Sequence, residues 1–201
     1  MKKLVSLLFI IFIGLFSLTG CTIVRIDTSD FDNISNIILS KENSLYNHIG
    51  KGYKYYIPKG VTYIDTNEFN DKLYSNGNYY YLYIDAISYY YQKDFVHSKG
   101  DDLYYYKDID INGKKGYIEI TRYNDKFLID FMFNYAHIES LVPEEDIRDV
   151  LLNSSYILST IKFNSKVIRI MLNEDYFKYK EEKFQLYDNE QENDNFLNYS
   201  E

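Results

Sequence analysis

The pattern that most constrains the fold is an alternation of apolar and polar residues in the middle of the chain. The apolar positions are Phe127, Ile129, Phe131, Phe133 and Tyr135. Because side chains of a β-strand point alternately to two faces, this pattern predicts a strand over about 126–138 with one buried face. Two more strands are predicted at 103–111 and 117–123, separated by short turns. Three consecutive strands joined in this way predict an antiparallel meander.

Helical patterns lie on both sides of this meander. Residues 30–48 begin with a candidate N-cap at Ser29 or Asp30 and carry isoleucines at helical spacing. A second helix is predicted after Pro143, where acidic residues in the first turn favour the positive end of the helix dipole. A short strand at about 161–171 completes the domain. The predicted fold class is therefore α+β, an antiparallel sheet packed by an N-terminal and a C-terminal helix, with an α/β/α sandwich possible.

A tyrosine-rich stretch precedes the meander and predicts a long strand over 79–91. The chain contains 24 tyrosines and no tryptophan. Alternation would place Tyr79, Tyr81 and Tyr83 together on one face of this strand. If that face is uncovered, it is an aromatic binding surface, since tyrosine combines a large apolar ring with a polar tip. Because two helices can cover both faces of a sheet, we expect this face to be core rather than a binding surface.

The N-terminus has the organisation of a bacterial export signal. Lys2 and Lys3 precede an apolar run over 4–18 that is shorter than the ~20 residues of a membrane-spanning helix. The run ends in Leu18, Thr19, Gly20 and Cys21, which resemble the lipobox of bacterial lipoproteins. That resemblance implies that the Cys21 thiol receives a diacylglyceryl group and that cleavage makes Cys21 the new N-terminus. The alternative is an uncleaved N-terminal membrane helix.

The lipoprotein resemblance also predicts the domain organisation and the location. Residues 1–20 are a signal peptide, 21–29 a tether, 30–172 a single domain, and 173–201 a charged, poorly packed tail. Two or more acyl chains on one residue, such as palmitate, give stable membrane anchoring. We therefore expect the protein on the extracytoplasmic face of the cell membrane. Because Cys21 is the single cysteine of the sequence, a disulfide within the chain is excluded.

The domain itself is similar in its element order to the PsbP-like fold, an α/β/α sandwich. The likeness covers about residues 50–165 and includes an extended segment ending at Pro58 and Gly60, the meander entry at 116–120, and a C-terminal helix. It implies a small accessory or binding domain, since many such proteins lack an enzymatic reaction. It assigns no functional residue.

One segment matches the letters of an EF-hand calcium loop. Its candidate ligands are Asp108, Asp110, Asn112 and Glu119, with Gly113 at the position of the sharp turn. The flanking residues, however, have strand patterns instead of helical ones, and Lys115 stands where the loop has an apolar residue. Asn112-Gly113 between alternating runs is also the strongest short hairpin signal. We predict a hairpin, with a nonstandard calcium site on it as the alternative.

Charge and the remaining motifs limit the function. The formal net charge is −8, and the loss of Lys2 and Lys3 with the signal peptide would make it −10. Such a chain repels phosphate backbones, so nucleic acid is not expected as a partner. The three histidines lack zinc-site spacing, and no nucleophile elbow, P-loop or dinucleotide fingerprint is found in the sequence. We expect a non-enzymatic domain that binds an envelope protein or a wall component. The alternatives are a calcium-binding lipoprotein and an enzyme with an unrecognised site.

Overall fold

The computed structural model describes residues 30–67 and 69–173. The predicted signal peptide, the tether, Cys21 and all but the first residue of the predicted tail lie outside these ranges. The helices are α1 (Phe31–Leu39), α2 (Ala86–Tyr91), α3 (Ile147–Thr160) and α4 (Ser165–Asn173), with a 3-10 turn at Glu144–Asp146. The strands are β1 (His48–Ile49), β2 (Tyr53–Tyr55), β3 (Thr62–Asn67), β4 (Asn70–Ser75), β5 (Asn78–Ile84), β6 (Leu103–Ile111), β7 (Lys114–Tyr123), β8 (Lys126–Phe133), β9 (Ala136–Val142) and β10 (Lys162–Phe163).

Seven of these strands form one antiparallel sheet in the order β3-β4-β5-β9-β8-β7-β6. The sheet joins two meanders, β3 to β5 and β6 to β9, through the pairing of β5 with β9. A smaller sheet has the order β1-β2-β10. The predicted α+β class with an antiparallel sheet is confirmed.

One face of the large sheet forms the hydrophobic core together with helices α1 and α3. Tyr80 on β5 and Phe131 on β8 point into this core, and both are buried. Helix α3 packs against β8 and β9, and Asn153 of α3 donates a hydrogen bond to the Tyr80 hydroxyl at 3.0 Å. Helix α1 packs on α3, and Asp32 of α1 pairs with Lys107 of β6 on this same face. Both predicted helices therefore cover the same face of the large sheet.

The Asn112-Gly113 turn follows the sequence prediction. Asn112 and Gly113 have φ values of 54° and 75°, so both central residues are left-handed, as a two-residue hairpin requires. The predicted strand 103–111 is confirmed at β6, whereas the strand predicted at 117–123 begins earlier, at Lys114 of β7. The predicted single strand 126–138 is wrong, because Asn134 and Tyr135, with φ of 50° and 64°, form another left-handed turn and divide it into β8 and β9. Tyrosine rarely adopts positive φ, so its pattern gave no signal for this turn.

The long tyrosine-rich strand is also shorter than predicted. It ends at Ile84, and Asp85 accepts a hydrogen bond from the Ser88 backbone N–H at 2.8 Å, which caps helix α2. The alternation predicted for its first half is confirmed, since Tyr80 and Leu82 are buried while Tyr79 is exposed. Asp85 therefore ends the strand, although the sequence pattern predicted that it continues to residue 91.

Two other predicted boundaries are corrected. Helix α1 ends at Leu39 rather than at 48, and Leu45, which extended the predicted apolar stripe, is exposed. The predicted last strand, 161–171, contains only two strand residues before α4 begins. Asn164 accepts hydrogen bonds from two backbone N–H groups in the first turn of α4 and so starts a helix there. Within the part of the chain that the structure describes, every helix is too short or too polar to cross a membrane.

Candidate functional site

The second face of the seven-stranded sheet carries tyrosine, lysine, histidine and carboxylate side chains, and we call it the open face. Strand register places one row of residues directly opposite one another across it, the central row. In spatial order the central row is Lys72, Tyr81, Glu139, Asp130, Glu119 and Tyr106. Because α1 and α3 pack on the core face, Tyr79 on the open face is 44% exposed, and Tyr81 and Tyr83 are partly exposed. The expectation that a helix would bury this face is therefore wrong.

At the β4–β5 side of the open face lies a tyrosine cluster, formed by Tyr74, Tyr79 and Tyr81 with Lys72. The Tyr79 ring centroid is 5.1 Å from that of Tyr74 and 6.4 Å from that of Tyr81. The Lys72 ammonium lies 4.5 Å from the Tyr79 centroid and 5.7 Å from the Tyr81 centroid, within cation–π range. Burial, and then the neighbouring Tyr79, raises the pKa of Tyr81 above its usual value. The cluster is a set of ring faces and edges around one cation.

The sequence predicted only part of this cluster. Tyr79 and Tyr81 were identified, whereas Tyr83 lies in the next row, opposite His137 and Asn70. Tyr74 and Lys72 were missed because residues 61–78 had no assigned strand. The Asn76-Gly77 turn makes β4 and β5 a two-residue hairpin, which brings Tyr74 opposite Tyr79. Reading the alternation backwards from that turn would have found both residues.

Three carboxylates lie side by side in the middle of the central row. Glu139 and Glu119 are only 9% and 7% exposed, and Asp130 lies between them. Like charges directly opposite each other destabilise a sheet unless cations or donors compensate for them. Two histidines provide this compensation, one at each side of Asp130.

His137 is the first of these histidines. Its Nε2 contacts Asp130 Oδ1 and lies 3.7 Å from Glu139 Oε1. Burial alone would lower the pKa of His137, but the charge and hydrogen bond of Asp130, with the charge of Glu139, raise it above the usual value. The Tyr117 hydroxyl donates to the second Asp130 oxygen at 3.1 Å, and its own pKa is raised by burial and by that carboxylate. Both Asp130 oxygens are therefore occupied.

The second histidine, His97, comes from the loop between α2 and β6. Its Nε2 lies 2.8 Å from Glu119 Oε2, and its ring stacks on Tyr117 with a centroid distance of 3.6 Å. The Gly100 backbone N–H also donates to Glu119 at 3.3 Å. A Cβ at Gly100 would lie 2.9 Å from Glu119 Oε1, so the close approach of this loop favours glycine. The loop therefore covers the Glu119 end of the open face and leaves the tyrosine end uncovered.

The residues of the EF-hand pattern lie on a two-stranded hairpin and not between two helices. Asn112 is in the turn, while Glu119 pairs with Tyr106, about 13 Å along β6 from Asp110. Asp108 accepts the Tyr106 hydroxyl at 2.6 Å, and burial together with this bond raises the pKa of Tyr106 to about 12. Among residues 30–67 and 69–173, no group of three or more His, Cys, Asp or Glu side chains is arranged to hold a metal ion. The flanking strands confirm the predicted hairpin.

A second polar cluster, which the sequence did not indicate, is centred on Asp71 of β4. Asp71 is 1% exposed and accepts the hydroxyls of Tyr53 and Tyr55 at 3.0 and 2.8 Å. His48 Nε2 lies 3.6 Å from the same oxygen, and its ring stacks on Tyr63. Burial, and then the charge of Asp71, raises the pKa of both tyrosines that bind it well above the usual value. This cluster connects the small sheet to the large one.

A shallow cleft of about 600 Å³ lies beside the Asp71 cluster. His48, Lys59 and Tyr63 line it, so one histidine contacts both the cleft and the buried carboxylate. The cleft is wide open to solvent and therefore differs from the enclosed, mostly apolar pockets that usually bind small molecules.

Comparisons of this chain with protein-family models, with curated proteins and with solved structures found no match.

Proposed function

We propose that this protein is a lipid-anchored binding domain on the extracytoplasmic face of the membrane, and that its ligand occupies the open face. The observation that carries the proposal is the tyrosine cluster, in which an aromatic surface with a cation remains accessible after the helices have packed. Tyrosine is enriched at binding surfaces because its ring contributes contact area and its hydroxyl contributes hydrogen bonds. The anchor in this proposal is Cys21 of the lipobox-like segment.

Binding is favoured over catalysis by the composition of the tyrosine cluster. The histidines of the open face, His137 and His97, contact Asp130 and Glu119 and are not members of this cluster. The accessible residues are instead rings and the Lys72 ammonium, which recognise ligands without forming or breaking bonds.

Site-specific crosslinking in cells tests the binding surface. A photo-crosslinking phenylalanine analogue replaces Tyr79 in one strain and Tyr91 in a control strain. Tyr91 is 60% exposed but lies on α2, away from the cluster. We expect a crosslinked species from position 79 and none from position 91. Equal crosslinking from the two positions, or none from either, would contradict a ligand site on the open face.

A Cys21→Ala substitution tests the anchor separately. Without the thiol there is no site for a diacylglyceryl group, so the protein should lose its incorporation of labelled fatty acid. A Ser6→Ala change within the apolar run serves as the control. Unchanged labelling of the Cys21→Ala protein would contradict the lipid anchor and leave the open-face site to its own test.

A further inference from the structure

We infer that the ligand of the open face is a carbohydrate, a neutral or amino-sugar glycan of the cell envelope, whose pyranose rings stack on Tyr79 and Tyr81. This inference rests on the proposed function and names its ligand class. The two residues are separated by one position on β5, so their side chains project from the same face about 7 Å apart. The ring centroids are 6.4 Å apart and the rings are inclined by 34°, which presents two adjacent stacking surfaces along one direction.

The surroundings of the rings fit the mixed apolar and polar surface of a sugar. Half-buried Leu128 and Leu141 face each other on the neighbouring strands and extend the apolar floor beside the cluster. Glu139 stands directly opposite Tyr81 on the neighbouring strand. A ring stacked on tyrosine directs its hydroxyl or amide N–H groups sideways, where the Glu139 carboxylate accepts hydrogen bonds and Lys72 donates them.

Charge selects among the glycans and against other polymers. A formal net charge of −8 opposes the approach of an anionic polymer, such as a phosphate-rich one. The single cation of the cluster, Lys72, already lies against two tyrosine rings. A neutral or amine-bearing chain avoids this repulsion and supplies donors to the acidic row.

Titration calorimetry on the full-length protein in detergent tests the ligand class. The probes are tetramers of N-acetylglucosamine and of glucose, with polygalacturonate as the anionic comparison. We expect at least one neutral tetramer to bind, and Tyr79→Ala to weaken its affinity by about tenfold, the size of one lost aromatic contact. Tyr79→Phe keeps the ring and should retain most of the affinity. Tyr91→Ala, at an exposed ring outside the cluster, should bind like the unmodified protein.

Several results would overturn the inference. They are no binding of either neutral tetramer, tighter binding of polygalacturonate, or equal losses in Tyr79→Ala and Tyr91→Ala. Melting curves of each variant exclude unfolding as the cause. If the tetramers fail while crosslinking at position 79 persists and yields a polypeptide, the carbohydrate inference is wrong and the binding surface stands. If crosslinking at position 79 also fails, the proposed binding surface is wrong as well.

Discussion

Removing the hydroxyl of Tyr55 should destabilise the domain. That hydroxyl donates at 2.8 Å to Asp71, whose side chain is almost completely buried, and Tyr55 itself is fully buried. A hydrogen bond to a charged group contributes about 1.5–3 kcal/mol, and little water can enter to replace it here. We therefore expect Tyr55→Phe to lower the free energy of unfolding by about 2 kcal/mol.

For a domain of this size, 2 kcal/mol corresponds to a decrease in melting temperature of about 4–8 °C. Tyr53→Phe should have a smaller effect, because its bond to the same oxygen is longer, at 3.0 Å. The double variant leaves the carboxylate with His48 at 3.6 Å, so the two losses should not add. The unmodified domain should also lose stability as the pH rises above about 10. Folding raises the pKa of both tyrosines, and only the unfolded chain loses these protons there.

Circular dichroism of thermal and urea unfolding measures these effects. Tyr91→Phe is the matched control, since it removes a hydroxyl from a tyrosine that is 60% exposed. It should melt within about 1 °C of the unmodified protein, as surface changes usually alter stability by less than 0.5 kcal/mol. If Tyr55→Phe and Tyr91→Phe have the same melting temperature, the hydrogen bond from Tyr55 to Asp71 does not stabilise the domain.

Three more predictions concern the open face and the hairpins. Because folding raises the pKa of His137, its ion pair with Asp130 stabilises the domain fully below about pH 6.5 and less as the pH rises. His137→Gln should therefore flatten this part of the curve of unfolding free energy against pH, which urea unfolding measures. Gly116→Ala should prevent folding or cost several kcal/mol, because its Cβ would lie 2.1 Å from the Met132 carbonyl oxygen; the yield of folded protein and its circular dichroism measure this. Since the hairpin holds the candidate ligands apart, calcium should leave the melting temperature unchanged, whereas a rise of about 5–10 °C that disappears in Asp108→Ala would establish a calcium site.

Several features could be predicted from the sequence because they depend on neighbours along the chain. The alternation of β8, the Asn112-Gly113 turn and the acidic start of the C-terminal helical segment are encoded within a few residues each. They were enough to predict an α+β domain with an antiparallel sheet. Tyr79 and Tyr81, the two members of the tyrosine cluster that lie on one strand, could be predicted for the same reason.

The tertiary structure decided what depends on distant segments. The pairing of β5 with β9 sets Tyr81 opposite Glu139, and one residue of slippage would have moved Glu139 to the core face. The same register aligns three carboxylates from three strands, and the α2–β6 loop then brings His97 to the last of them. Which face the helices cover is likewise a packing outcome. A local pattern shows that a strand has two faces, but the face that stays open depends on where the other apolar surfaces are buried.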